Sequence, residues 1–179
     1  MTTTHTVILE TERLILRRQM LSDLDDLWAI YQDPDVVRHI PDRATTREET
    51  EEEIRWHMNG HPRHPELGLW ATIHKPTGKY IGRCGLLPWT IDDTLEVEVA
   101  YLLAQAYWDQ GLATEAARAI VDYAFETLGL SRLIAFIEPG NEASTKVSTK
   151  IGMAFEREYT DEYGLCFIYA MAKPPTLAA

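Results

Sequence analysis

The chain has no uninterrupted run of the roughly 18 apolar residues that a membrane-spanning helix requires. Its opening stretch, MTTTHTVILETERLI, lacks the basic segment and long apolar core of a secretory leader. These two absences set the expectation of a cytoplasmic protein with no membrane partner. Cysteine is scarce, since Cys84 and Cys166 are the only two and neither belongs to a CxxC pair. A disulfide framework and a thiolate zinc site are both poor expectations for such a chain, and two core thiols in a reducing compartment is the better one. Positive charge is also in deficit, with 17 Lys and Arg against 28 Asp and Glu, a net charge of −11. A nucleic-acid binder carries the opposite sign, so no nucleic-acid partner is expected. The negative field instead favours cationic partners such as amines.

The familiar phosphate loops are missing too, for neither GxxxxGK[ST] nor GxGxxG occurs, and there is no HExxH for zinc. His57, His61 and His64 fall at a helix end and in a Pro-rich loop without ligand spacing, so no metal is expected.

What remains is an ordinary globular composition, 45% hydrophobic and 25% charged. At 179 residues, with no internal repeat and no long linker, the chain reads as one domain over residues 1–179. Strand patterns cover Arg13–Arg18, Leu69–Lys75, Lys79–Leu87, Thr94–Leu103 and Arg132–Glu138, and two more, MAFEREY and LCFIYAM, close the chain. Pro76-Thr77-Gly78 and Asp92-Asp93 read as hairpin turns. Glu96, Glu98 and Ala100 are expected on one sheet face, with Val97, Val99 and Tyr101 on the other.

Helices are expected from Ser22, with Asp25 placed for a capping box, and from Thr46 with Glu49 repeating that signal, running to Gly60. A third spans Leu112 to Leu128, with Ala113, Ala116, Ala117, Ile120, Ala124 and Phe125 on an apolar stripe and Arg118, Asp122 and Glu126 opposite. A fourth, Glu142 to Ile151, has Ala143, Val147 and Ile151 as its buried stripe, with Ser144 and Ser148 beside it. The tail KPPTLAA is expected to fray. Strand, helix and strand around Leu112–Leu128 imply a βαβ unit with two parallel strands. The fold class is α/β (α+β), a mixed sheet of about seven strands with helices on both faces.

Gly111 opens the long helix in YWDQGLATEA. A helix start leaves N–H groups unpaired and carries a positive dipole end, so Gln110, Gly111, Leu112, Ala113 and Thr114 offer donors to an anion. No lysine follows, which suits a diphosphate held by backbone amides better than a reactive γ-phosphate. A plain turn glycine is the other reading of Gly111.

The segment AYLLAQAYWDQGLATEA resembles the acyl-CoA loop of the GNAT superfamily of N-acetyltransferases, nearest to the Rim-type branch that acetylates ribosomal-protein N-termini. The family pattern is Gln or Arg, two residues, Gly, one residue, then Gly or Ala. Gly111 and Ala113 match it, while Trp108 stands at the first position, as is common in this branch. TERLILR, EVAYLL and GNEASTKVSTKIGMAFE fall in family order around it, so the resemblance covers residues 10 to 172. It implies a GNAT fold and acetyl-CoA as cosubstrate, with its pyrophosphate on Gln110 to Thr114. Leu102 or Leu103 would offer a main-chain N–H at the acyl oxygen. Asn141 would bind the pantetheine arm, and Ser144 would lie near the thioester sulfur. Many relatives carry a tyrosine acid where this chain has Ser148. The loop with His61 and His64 would help shape the acceptor pocket, and a homodimer is compatible with the family.

Transfer from a thioester to an amine needs a neutral amine. At pH 7 a lysine-like amine is neutral in roughly 1 molecule in 2,500 and a protein α-amine in roughly 10%. Glu98, on the strand entering the loop, is the candidate base, with Ser144 as a helpful acid. A solvated sheet-face carboxylate is the other reading of Glu98. The expected activity is N-acetylation of a primary amine, at a peptide N-terminus or on a small molecule. The alternative is a catalytically silent acyl-CoA-binding or sensing domain of the same fold.

Overall fold

The computed structural model describes residues 6–175, so the end of the tail, expected to fray, lies outside the described residues. Eight strands form one sheet: β1 Val7–Glu10, β2 Leu14–Arg17, β3 Gly68–His74, β4 Lys79–Ile91, β5 Thr94–Leu103, β6 Arg132–Ile137, β7 Ala154–Asp161 and β8 Gly164–Ala172. Their order is β1-β2-β3-β4-β5-β6-β8-β7. Every neighbouring pair is antiparallel except β5 and β6. The strand beyond the expected seven is β1, four residues long and irregular against β2 between Val7 and Leu9.

The two hairpin turns form where the punctuation residues put them. Thr77 and Gly78 donate their N–H groups to the His74 carbonyl, and Asp92 and Asp93 both adopt positive φ. Aspartate tolerates that region better than most residues, which lets the turn follow the strand twist without glycine. Strand β4 runs on to Ile91 through Pro88, past the point where β3 stops pairing at Leu86. Pro88 lacks an N–H, and an open edge is where a strand accommodates that loss.

Helices α1 Leu24–Tyr31, α2 Pro34–Val37 and α3 Arg47–Met58 precede β3. The box at Thr46 and Glu49 is present on α3. The expected cap at Ser22 and Asp25 is not. A 3-10 turn covers Leu21–Asp23 instead, and the buried Asp23 carboxylate accepts from the Met20 N–H and pairs with Arg17 through two hydrogen bonds of 2.7 and 2.8 Å. The partner that holds Asp23 there is a cation on β2, which local spacing does not reveal.

Helix α4 Leu112–Asp122 follows β5, and α5 Glu142–Lys150 follows β6. The expected stripe of α4 is on the core side, with Ala116, Ala117, Ile120, Ala124 and Phe125 buried. Past Asp122 the turns widen into a π-helical segment, Tyr123–Thr127, where the continuous α-helix had been expected. Tyr123 stacks edge-on against buried Trp70 at 5.7 Å, so the wider turn coincides with an aromatic contact to β3.

Two clusters lie on opposite sides of the sheet. One joins Leu14, Leu16, Trp70, Ile81, Leu86, Val97, Val99 and Leu133 to α4 and to Ile151 and Met153 after α5. The other joins Leu102 to Leu24, Leu27, Val36, Val37 and Ile54 of α1, α2 and α3. Helices thus cover both faces. Among the described residues, no helix is long and apolar enough to cross a membrane.

Candidate active site

Parallel β5 and β6 share a register at a single pair, Glu98 with Ile134. No ladder joins the carboxyl ends of these strands, Tyr101–Leu103 and Phe136–Ile137. In a parallel sheet the region beyond the carboxyl ends of parted strands is where ligands enter. Glu98 stands at the apex of this parting.

Alternation along β5 puts Glu98 on the side of α1 to α3 and Val97 and Val99 in the opposite core, as read from the sequence. Antiparallel pairing places Leu87 opposite Glu98 and Trp89 opposite Glu96. The Trp89 indole Nε1 donates to Glu98 Oε2 at 2.7 Å. Glu98 is half-buried as a residue, yet its carboxyl group is enclosed enough that desolvation dominates and pushes its pKa up to about 7. Asp42 pushes the same way, while Trp89, a main-chain hydrogen bond from Phe136 and the Arg83 charge pull it down. A carboxylate balanced near neutrality is what a general base at physiological pH requires. Glu96, its neighbour two residues earlier, is instead neutralised by Arg132, which also binds Glu156.

The other wall of the parting is α5. Asn141 caps this helix by accepting from the Ser144 N–H through Oδ1 at 3.1 Å. Ser148, expected beside the stripe, is fully buried, whereas Ala143, expected within it, is exposed. The reason lies across the gap. The Tyr101 hydroxyl is 3.0 Å from the Ser144 carbonyl, to which it donates, and 3.2 Å from Ser148 Oγ. A buried serine is stable there because a tyrosine from β5 supplies its partner. Burial raises the Tyr101 pKa, so the phenol keeps its proton at neutral pH. Reading the sequence alone passes over Tyr101, because alternation marks it only as core-facing. No hydrogen bond from the Ser144 hydroxyl forms among the described residues.

At the start of α4, Gly111 is the N-cap in the left-handed region, φ 77°. A Cβ there would meet only Arg13 Nη2, at 3.7 Å, so backbone conformation and not crowding by the protein calls for glycine. Among the described residues, the N–H groups of Gly111, Leu112, Ala113 and Thr114 find no acceptor. Leu112 and Thr114 are buried, Ala113 is half-buried, and the Gln110 side chain turns back to the Ala106 carbonyl. Arg13, unremarked in the sequence beyond its place in TERLILR, binds the Gln110 carbonyl and pairs with Glu115, which also accepts from Thr11. A cation is thereby fixed beside the open donors. A groove of about 640 Å³ runs from there along α4, lined among others by Arg13, Gly111, Thr114, Arg118 and Lys150.

Leu103 ends β5 with its side chain in the core and its carbonyl accepting from Trp108 Nε1 at 2.8 Å. Leu102 points to the opposite cluster. The exposed Trp108 thus ties the loop to the strand end.

The three histidines do different things. His57 is buried, its ring pushed down to about pKa 4 chiefly by desolvation, and its Nδ1 accepts from the Leu69 N–H. It fastens α3 to β3. His61 and His64 lie in the following loop, and His64 lines a 330 Å³ cavity with Arg63, Trp89 and Asp93. Among the described residues no three His, Cys, Asp or Glu converge in a metal-holding group. Burial pushes the Cys84 thiol up to about 11, so it stays a protonated core thiol.

Comparison with known proteins identifies the family and the fold. Residues 13–154 match the family model of the acetyltransferase (GNAT) domain. The uncharacterized N-acetyltransferase p20 from Bacillus licheniformis is 31% identical over 92% of this chain and 88% of its own length. The crystal structure of a GNAT-family acetyltransferase from Bacillus anthracis superposes with a TM-score of 0.78 at 25% identity, covering 92% of this chain and 97% of that one. At the level of fold the likeness extends to RimL, a ribosomal L7/L12 α-N-protein acetyltransferase solved with coenzyme A, with a TM-score of 0.75 at 16% identity over 93% of this chain and 97% of that one.

Proposed function

This chain belongs to the GNAT acetyltransferase family, and from that premise we propose that it moves an acetyl group from acetyl-CoA directly to a primary amine, at a protein N-terminus or on a small molecule. The observation that carries the reading is Glu98, a carboxyl group poised near neutrality at the apex of the parted parallel strands. A silent binding domain has no use for a base there.

The residues fit the cosubstrate. Open N–H groups at Gly111 to Thr114 and the adjacent Arg13 suit a pyrophosphate, and Arg118 and Lys150 give the same groove positive charge for a further phosphate. The Asn141 side chain uses its oxygen as a cap and keeps its amide N–H₂ for the pantetheine arm. Acetyl-CoA supplies the acyl group as a thioester with a good leaving thiolate.

The protein's own work is then proton management and orientation. Glu98 takes the proton of the incoming ammonium, directly or through water, and its level near 7 matches that task. The Leu103 main-chain N–H, turned away from β4 by the ladder in which Ala104 donates to Ile81, is the donor for the charge that develops on the acyl oxygen. Ser144 on α5 and Tyr101 on β5 are the hydroxyls we assign to the departing thiolate. Tyr101 keeps its proton at neutral pH and would give it to the thiolate on turning away from the Ser144 carbonyl. We place this activity in the cytoplasm.

Coenzyme A release measured against a panel of amines and N-terminal peptides tests the reading. Release with at least one acceptor, coupled to its N-acetylation, is expected. Acetyl-CoA binding without release for any acceptor would favour the silent sensor.

A further inference from the structure

On the Glu98 side of the sheet, helices α1 to α3 pack over β3, β4 and the end of β5. The part of that face formed by β6, β8 and β7 carries a different cover. Buried Ile91, Ile134 and Ile168 are roofed by half-buried Trp89, Phe136 and Tyr159, with Ala170 beside them. The three rings form a row, with centroids 5.4 Å apart from Trp89 to Phe136 and 5.9 Å from Phe136 to Tyr159. Its near end is bonded to Glu98 through the Trp89 indole. Its far end is steadied by Arg157, which lies over the Tyr159 ring and pairs with Asp92.

The charges around this row are mostly of one sign. Asp42 acts on both Glu98 and Tyr163, while Glu98, Glu138 and Asp161 all act on Cys166. Arg83, paired with Glu53, and Arg157, paired with Asp92, are the arginines set among these carboxylates, and His39 Nδ1 lies 3.0 Å from Glu138 Oε2. A site with an aromatic floor and carboxylate walls suits a cation that carries an apolar body.

Resting on the transferase reading above, we propose that Trp89, Phe136 and Tyr159 form the acceptor subsite and select a primary amine with an apolar, preferably aromatic, group one or two carbons from the nitrogen. The spacing follows from the Trp89–Glu98 contact. The ring that bonds the carboxylate is also the first ring of the row, so an amine at Glu98 reaches the row only through a short linker. An amine on a long polar chain leaves the rings uncovered.

The test compares 2-phenylethylamine with an equally basic hydroxyalkylamine, and a peptide beginning with Phe with one beginning with Gly, at saturating acetyl-CoA. The aromatic member of each pair is expected to win in kcat/KM by about ten-fold, the scale of one well-stacked ring. Tyr159→Ala, on the edge strand, and Phe136→Leu, which keeps most of the volume, are expected to erase the preference mainly through KM. Preference in the free-amine pair points to a small-molecule acceptor and preference in the peptide pair to a protein N-terminus. Either supports the subsite. Equal rates within both pairs would overturn it while leaving the transferase standing. Should no amine be acetylated, the transferase reading fails by itself, and binding of 2-phenylethylamine seen by saturation-transfer NMR, lost in Tyr159→Ala, still decides the subsite.

Discussion

The indole nitrogen of Trp89 lies 2.7 Å from Glu98 Oε2, so an aromatic residue of β4 both orients the proposed base and stabilises its charged form. Enclosure by the sheet and the charge of Asp42 oppose that stabilisation, and the carboxyl comes to rest near pKa 7. Rate and stability should respond to this balance in opposite directions.

Glu98→Gln keeps shape and hydrogen bonding but removes the base. Acetyl transfer is expected to fall by about 10² to 10⁴, the usual worth of general base catalysis, with acetyl-CoA affinity maintained. In the parent, kcat/KM should fall as pH drops below about 7, where the carboxyl becomes protonated. An unchanged rate in Glu98→Gln at neutral pH would return Glu98 to the status of a sheet-face residue.

The same raised pKa bears on stability. A carboxyl whose folded pKa exceeds its unfolded value gives its full support below the unfolded pKa, and loses it as pH rises through about 7. Glu98→Gln should therefore unfold at a higher temperature than the parent at pH 8 and lose that advantage at pH 4. Thermal scans at the two pH values check the sign.

Trp89→Phe removes the N–H while keeping a ring over Ile91 and Phe136. Without that donor the charged carboxylate is less favoured, so the Glu98 pKa should rise and the acid limb of the kcat/KM profile should move to higher pH. A lower rate with an unmoved profile would mean that the indole serves packing alone.

Tyr101→Phe leaves buried Ser148 Oγ without its partner and should cost about 1 to 3 kcal/mol by urea unfolding. Its kcat should also fall more than that of Ser144→Ala if the phenol protonates the departing thiolate. The reverse ranking would restore Ser144 as the donor.

Gly111→Val forces a β-branched residue into the left-handed region, at a cost of about 1 to 2 kcal/mol, yet its Cβ has room. The variant should fold and lose the rise in Tm that acetyl-CoA confers on the parent. A normal rise would show that ligand approach does not depend on the bare backbone here.

Local chemistry determined much by itself. Two-residue alternation fixed which face of β5 carries Glu98, since successive side chains of a strand must point oppositely. The glycine before α4 marked a helix start with open donors, and the alanine stripe marked the buried side of that helix. Turn residues placed both hairpins. All of these depend on neighbours within a few positions. Tertiary structure decided the rest, because the deciding partner is remote in the chain. Arg17 holds the Asp23 carboxylate that accepts from the Met20 N–H, where local spacing pointed to a box of Ser22 and Asp25. Tyr101 makes Ser148 a core residue from across the strand gap. Arg13 reaches the loop about a hundred residues away. A carboxylate such as Glu98 can be suspected from its strand, but its pKa depends on desolvation and on Trp89, Asp42, Phe136 and Arg83 together, and only the folded chain assembles them.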